Sequence, residues 1–133
     1  MLTSEEREAL VKYRLEKAVE TLVEARDCAK MDHWTLAANR LYYSAYYASS
    51  ALLIQNGIVA KSHEGVIGMI GQHFVVTEIL SKDDAKLLAR LQNMRKTVDY
   101  DAFIEWHQEE VEPLFESVEK YIEKIKTLVE SKQ

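Results

Sequence analysis

The chain has 133 residues with one cysteine, one proline and four glycines, which reads as a single domain (1–133) able to bury a core without metal or disulfide support. Its lone Cys28 has no partner for an internal disulfide, which suits a reducing cytoplasm, and its acidic N-terminal segment is unlike a secretory signal. Of the net charge of −5, residues 101–133 carry four basic against nine acidic groups, so no basic face for long DNA is evident.

Five helical segments follow in order. Thr3 and Glu6 form a capping box for the first, whose stripe is Val11, Leu15, Ala18, Leu22, Ala25 and Ala29. Asp32 is the expected N-cap of the second helix, and Asn56-Gly57 its stop. Between them, Trp34 to Ile54 contains a single charge, Arg40. At 100° per residue, Leu36, Arg40, Tyr43, Tyr47, Ser50 and Ile54 form one stripe, and Ala38, Leu41, Ala45, Ser49 and Leu52 the opposite one. A helix without a water-facing side is expected to be buried. Its tyrosines, serines, asparagine and arginine mark a protein core and not a membrane span. Ser62 or His63 opens a third helix to about residue 75, in which Gly65, Gly68 and Gly71 recur and point to close packing. Ser81, Asp83 and Asp84 cap a fourth, from about 82 to 97. The last runs to about Glu130 with Val111, Leu114, Val118, Tyr121, Ile125 and Leu128 inward. Pro113 places its regular start near Glu109 or Glu110, or else kinks a helix that begins earlier. With no alternating strand, the class is all-α. The acidic last helix is a solvated face or a docking surface for a basic partner.

Two arginines fall on apolar faces. Arg40 needs an anionic or polar neighbour if buried. Arg95 lies in the stripe of Leu87, Leu88, Leu91 and Val98, one turn before Asp99, with which it can pair. If these arginines share a pocket, it would grip phosphate. If they are structural, Arg95 and Asp99 form an internal salt bridge and Tyr100 packs as a core aromatic. Tyr42, Tyr43, Tyr46 and Tyr47 are expected in the core or an interface. His63 and Lys61 are either a helix start and a surface lysine, or ligand contacts. There is no His-Glu-x-x-His pair, P-loop or dinucleotide motif, so neither a metal nor a cofactor is expected.

The run Asn39-Arg40-x-Tyr42-Tyr43-x-x-Tyr46-Tyr47-Ala48, then Ala51-Leu52-Leu53, Lys61-Ser62-His63-x-Gly65-Val66 and Arg95-x-x-x-Asp99-Tyr100, resembles the HEPN domain family, in particular its small stand-alone prokaryotic members. The resemblance implies an antiparallel up-and-down bundle of four to five helices that forms a homodimer. It also implies a minimal nucleotidyltransferase partner in a toxin–antitoxin-like module. Many members are metal-independent ribonucleases that set an arginine, four to six residues and a histidine in the dimer cleft, beside a polar residue of the second helix. By that likeness Arg95 is the arginine and Asn39 the polar residue, with Arg40, Lys61 and His63 as further contacts to RNA or nucleotide phosphate. The histidine is missing: its places are Tyr100, Asp101 and Ala102. A 2′-hydroxyl needs a base active near neutral pH, for which imidazole is suited and phenol is not. With Arg95, the catalytic candidates are Tyr100, which would orient a phosphate or water, and Asp99, which could act as a base only with its pKa raised, a shift that a nearby Arg95 opposes. The other reading is a non-enzymatic helical interaction module with structural arginines.

Overall fold

The structure, a computed structural model, describes residues 1–101 and 103–131. Ala102, one of the three places for a motif histidine, lies outside them. The helices are α1 (Ser4–Lys30), α2 (Trp34–Gln55), α3 (His63–Ile70), α4 (Lys82–Tyr100) and α5 (Gln108–Glu130), with a π-helical turn at Gly71–Val75 extending α3. No strand occurs among the described residues. The chain is an all-α bundle, and among the described residues no helix is long and apolar enough to cross a membrane.

Helix α2 is the centre, packing on α1, α3, α4 and α5. Its alanines at 37, 38, 45, 48 and 51 are buried, so neighbouring backbones approach closely. Its polar side chains bind those neighbours. Ser44 Oγ donates to the Ala18 carbonyl at 2.7 Å, Ser49 Oγ meets Tyr121 Oη at 2.7 Å, and Gln55 Nε2 donates to the Val129 carbonyl at 2.7 Å. Buried hydroxyls satisfied in this way stabilise the packing instead of opposing it. From α4, Leu88, Leu91 and Met94 complete the core, and Val118, Ile122 and Ile125 do so from α5.

The helix ends follow local signals. Thr3 and Glu6 make their capping box, as do Ser81 and Asp84, and Ser62 Oγ accepts from Gly65 N–H at 3.1 Å. After α2, Gly57 at φ 70° lets Gly57 N–H reach Ile54 O and Ile58 N–H reach Leu53 O. This is the Schellman arrangement.

Asp32 departs from its expected role. It stands at φ 61°, with Asp32 N–H on Ala29 O and His33 N–H on Cys28 O. Asp32 therefore closes α1 in the same arrangement, and His33 precedes α2 instead. Helix α4 runs three residues beyond its expected end, to Tyr100. Helix α5 begins at Gln108 with Pro113 inside it. An added Cβ would meet Ser62 Oγ at 3.3 Å at Gly65 but nothing within 4 Å at Gly68 or Gly71, so close approach accounts for one of the three glycines and not for their spacing. Nor is α2 covered all round: Leu36 is 50% exposed, and Arg40, Tyr43, Tyr46, Tyr47 and Ile54 are half-buried. That open stripe positions the candidate site.

Candidate functional site

The site begins with Arg40 and Arg95, which approach one ring from different helices. Arg40, on α2, holds its guanidinium 5.2 Å from the Tyr43 ring centre; Arg95, on α4, lies 5.7 Å from the same ring and 5.3 Å from Tyr42. A guanidinium over an aromatic face is held electrostatically while its N–H edge stays available to acceptors. Tyr42 is buried and Tyr43 half-buried, so the inner ring anchors the cluster and the outer one presents it. Burial pushes the Tyr42 phenol above its ordinary range, and the Arg95 charge pulls it partly back.

Each arginine also has a carboxylate. Arg95 Nη2 is 3.6 Å from Asp99 Oδ2, a loose pair one helical turn apart, and Asp99 is 53% exposed. Arg40 Nη1 lies 3.3 Å from Glu24 Oε1. Arg40 Nε and Nη2 donate to Asn39 Oδ1 at 3.2 and 2.9 Å. With that oxygen committed, the Asn39 amide N–H₂ is the group left to meet a ligand.

Asn39, Arg95 and Asp99 line one cleft of about 360 Å³ between α2 and α4, with Thr35, Leu36 and Trp106. Arg40 is not in that lining. The two guanidiniums thus share Tyr43, while only Arg95 lines this cleft. Lys61 and His63 line a second cavity, on the α2–α3 side. His63 nevertheless reaches the cluster: its ring lies 5.8 Å from Tyr43 and 4.4 Å from Tyr46. Tyr100 is 85% exposed at the end of α4 and lines neither cavity. It does not pack as a core aromatic.

Trp106 and Thr35 escaped the sequence reading. Trp106 N–H donates to Thr35 Oγ1 at 2.8 Å, its indole N–H to the Met94 carbonyl at 3.3 Å, and Arg90 lies 6.0 Å from its ring. This fixes the α4–α5 connection as a wall of the cleft. A tryptophan in a charged stretch was the available signal; its tether to α2 is not visible in local sequence.

Chemically, the cleft offers one guanidinium, one amide N–H₂ and an aromatic wall, with a carboxylate at its edge. Those donors are of the chemical kind that meets an oxyanion. No histidine lines it.

The comparisons agree with this architecture. A family model described as HEPN domain matches residues 11–128. The chain is 32% identical over 125 residues to a UPF0332 protein of Thermotoga maritima, covering 94% of this chain and 95% of that one. Two proteins of Methanocaldococcus jannaschii named "Putative toxin" are also similar. One is 33% identical over 118 residues (89% of this chain, 80% of its own length), the other 29% identical over 112 residues (84% and 83%).

Proposed function

We propose, from the premise that this chain belongs to the HEPN domain family, that it is a toxin-like protein binding RNA or nucleotide phosphate at the Asn39–Arg95 cleft. A second copy of the chain completes the cleft across the open stripe of α2, and a minimal nucleotidyltransferase is the partner that restrains it. The toxin-like role rests on the names of two relatives. The binding role rests on one observation: Arg95 is held over two tyrosine rings while only loosely paired with Asp99, which leaves guanidinium donors for a phosphate.

Metal-independent cleavage of RNA is the further step of this reading. Arg95 would stabilise charge on the phosphorane, and Asn39 would orient a phosphate oxygen. The general base is what the cleft does not itself supply. His63, in contact with Tyr43 and Tyr46, is the nearest imidazole to the cluster and the candidate for that task.

The test uses wild type and Arg95→Ala with short structured RNAs, in chelator, read by binding and by cleavage. Binding is expected to weaken about 10- to 100-fold in the variant, the worth of a charge-assisted hydrogen bond. Any genuine cleavage falls at least as far. Asp99 is 53% exposed, so the carboxylate left behind is solvated. The fold is expected to lose only about 1–2 kcal/mol through the ring contacts. Equal binding and equal cleavage in the two proteins would refute the assignment.

One observation favours the non-enzymatic reading: Arg40 is satisfied by Asn39 and Glu24. Under that reading both arginines are structural, and no nucleotide or RNA raises the melting temperature.

A further inference from the structure

Helices α1 and α5 both pack on α2 and run antiparallel to each other: Arg26 pairs with Glu119 at 2.8 Å, and Val11 and Val129 line one groove. The groove holds about 640 Å³, against about 360 Å³ for the Arg95 cleft, and shares no residue with it.

Its floor is aliphatic and follows the helical repeat. Val11, Leu15 and Val19 stand four residues apart on α1, joined by Val129 from α5. Val11 is buried, Leu15 half-buried and Val19 37% exposed, so the floor rises toward solvent along the helix. Val23, one turn further, is 48% exposed and continues the line. From Val11 to Val23 the stripe covers about 18 Å at the rise of an α-helix. Exposed aliphatic residues in a row mark a surface that a partner covers. A groove of that length between two helices suits a third helix laid into it.

The rim says which kind of helix. Glu8, Glu16 and Glu20 from α1 and Glu130 from α5 line it, against the two lysines Lys12 and Lys126. Lys126 Nζ is engaged by Glu123 at 3.4 Å. Lys12 stands four residues from both Glu8 and Glu16 and pairs with neither. Among the described residues, none of the four rim glutamates has a cation within 4.0 Å, although seven carboxylates elsewhere in the chain do. The same charges exclude other occupants. A second copy seated here by two-fold symmetry would set glutamate against glutamate, and the phosphates of RNA or of a lipid surface are repelled.

We propose that the α1–α5 groove docks a basic amphipathic helix of another protein, its aliphatic face on Leu15, Val19 and Val23 and its flanking lysines or arginines on Glu16, Glu20 and Glu130. Three of the four rim glutamates belong to α1, so this surface is not the acidic face of the last helix alone. It does not depend on what the Arg95 cleft binds.

Fluorescence anisotropy tests it with a labelled helical peptide of about 18 residues, leucines along one face and lysines on the other. Two controls accompany it: the same peptide with glutamate for every lysine, and a scrambled peptide of the same composition. The lysine peptide is expected to bind wild type at micromolar concentration, and both controls at least about tenfold more weakly. Glu16→Lys with Glu20→Lys, both at exposed positions, is expected to weaken the lysine peptide about tenfold or more. The same variant should gain affinity for the glutamate peptide, which an unfolded protein would not do. Val19→Gln should weaken binding through the floor. Glu112→Lys with Glu116→Lys makes an equal change of net charge at exposed positions outside the groove, and should bind like wild type. The assignment fails if the lysine peptide does not bind below about 100 μM, or if the scrambled peptide binds as well. It fails if both charge-reversed proteins weaken equally, since net charge alone would then be the attraction. It fails too if Val19→Gln turns a dimeric wild type into a monomer in sedimentation, because a second copy would then be what covers the groove.

Discussion

Asp84 serves two elements with one carboxylate. Its oxygen accepts from Ser81 N–H at 2.9 Å, capping α4, and from Lys124 Nζ on α5 at 2.7 Å, with only 14% of its side chain exposed. Burial works against the charged form, but the Lys124 ammonium and the Ser81 donors outweigh it and hold the carboxyl below its ordinary range. The sign for stability follows. A carboxyl whose folded value is lowered adds stability that is fully present above the unfolded value near 4, and that stability is lost as pH falls through the folded value. Asp84→Asn is therefore expected to lower stability by about 1–2 kcal/mol at neutral pH. In thermal unfolding followed against pH, its gap from wild type should close under acid conditions; a gap unchanged down to pH 2 would remove the carboxylate from the account. At this scale much could be read in advance. Arg95 and Asp99 are one turn apart, so helical phase alone forecasts their pairing. Phase does not say how far a side chain is covered. Tyr100, on one reading a core aromatic, is 85% exposed.

Helix ends were legible wherever the signal is a side chain bonding to backbone three residues away, as at Thr3, Ser62 and Ser81. They were not legible where one residue type serves two roles. Aspartate is favoured at N-caps and also tolerates the left-handed region, and at Asp32 the second role wins because it closes α1 two hydrogen bonds at a time. Helix α3 shows a different failure. Glycine spacing signals close approach only if a neighbour approaches, and Gly68 has nothing within 4 Å of an added Cβ. Its cost is then uncompensated. Gly68→Ala is expected to stabilise the protein by about 0.5–1 kcal/mol, raising the melting temperature by a few degrees. A lower melting temperature would mean that an unseen contact, such as a second chain, occupies that face. The π-helical turn that follows, at Gly71–Val75, is the kind of irregularity that periodicity over short windows does not resolve.

For the whole molecule, the open stripe of α2 decides what the sites can do. The alternation of stripes around α2 predicted burial on all sides, since Leu36, Tyr43 and Tyr47 look like core residues. Within one chain they are not covered, and no intrachain reading of the sequence distinguishes a face awaiting its own helices from one awaiting another copy. The cleft wall from Trp106 was equally invisible, because it meets α2 through a tertiary contact. If a second copy covers the stripe, Leu36 lies where copies meet, beside Asn39 and Arg95 in the same cleft lining. Leu36→Asp places a charge there at a side chain outside the buried core of the single chain, where Leu36 is 50% exposed. Sedimentation should then show a dimer for wild type and a folded monomer for the variant, with RNA binding at the Arg95 cleft reduced as well. A monomeric wild type would remove the second copy from the cleft; a dimeric variant would move the interface off this stripe. A monomeric wild type would leave the Arg95 cleft to act within a single chain.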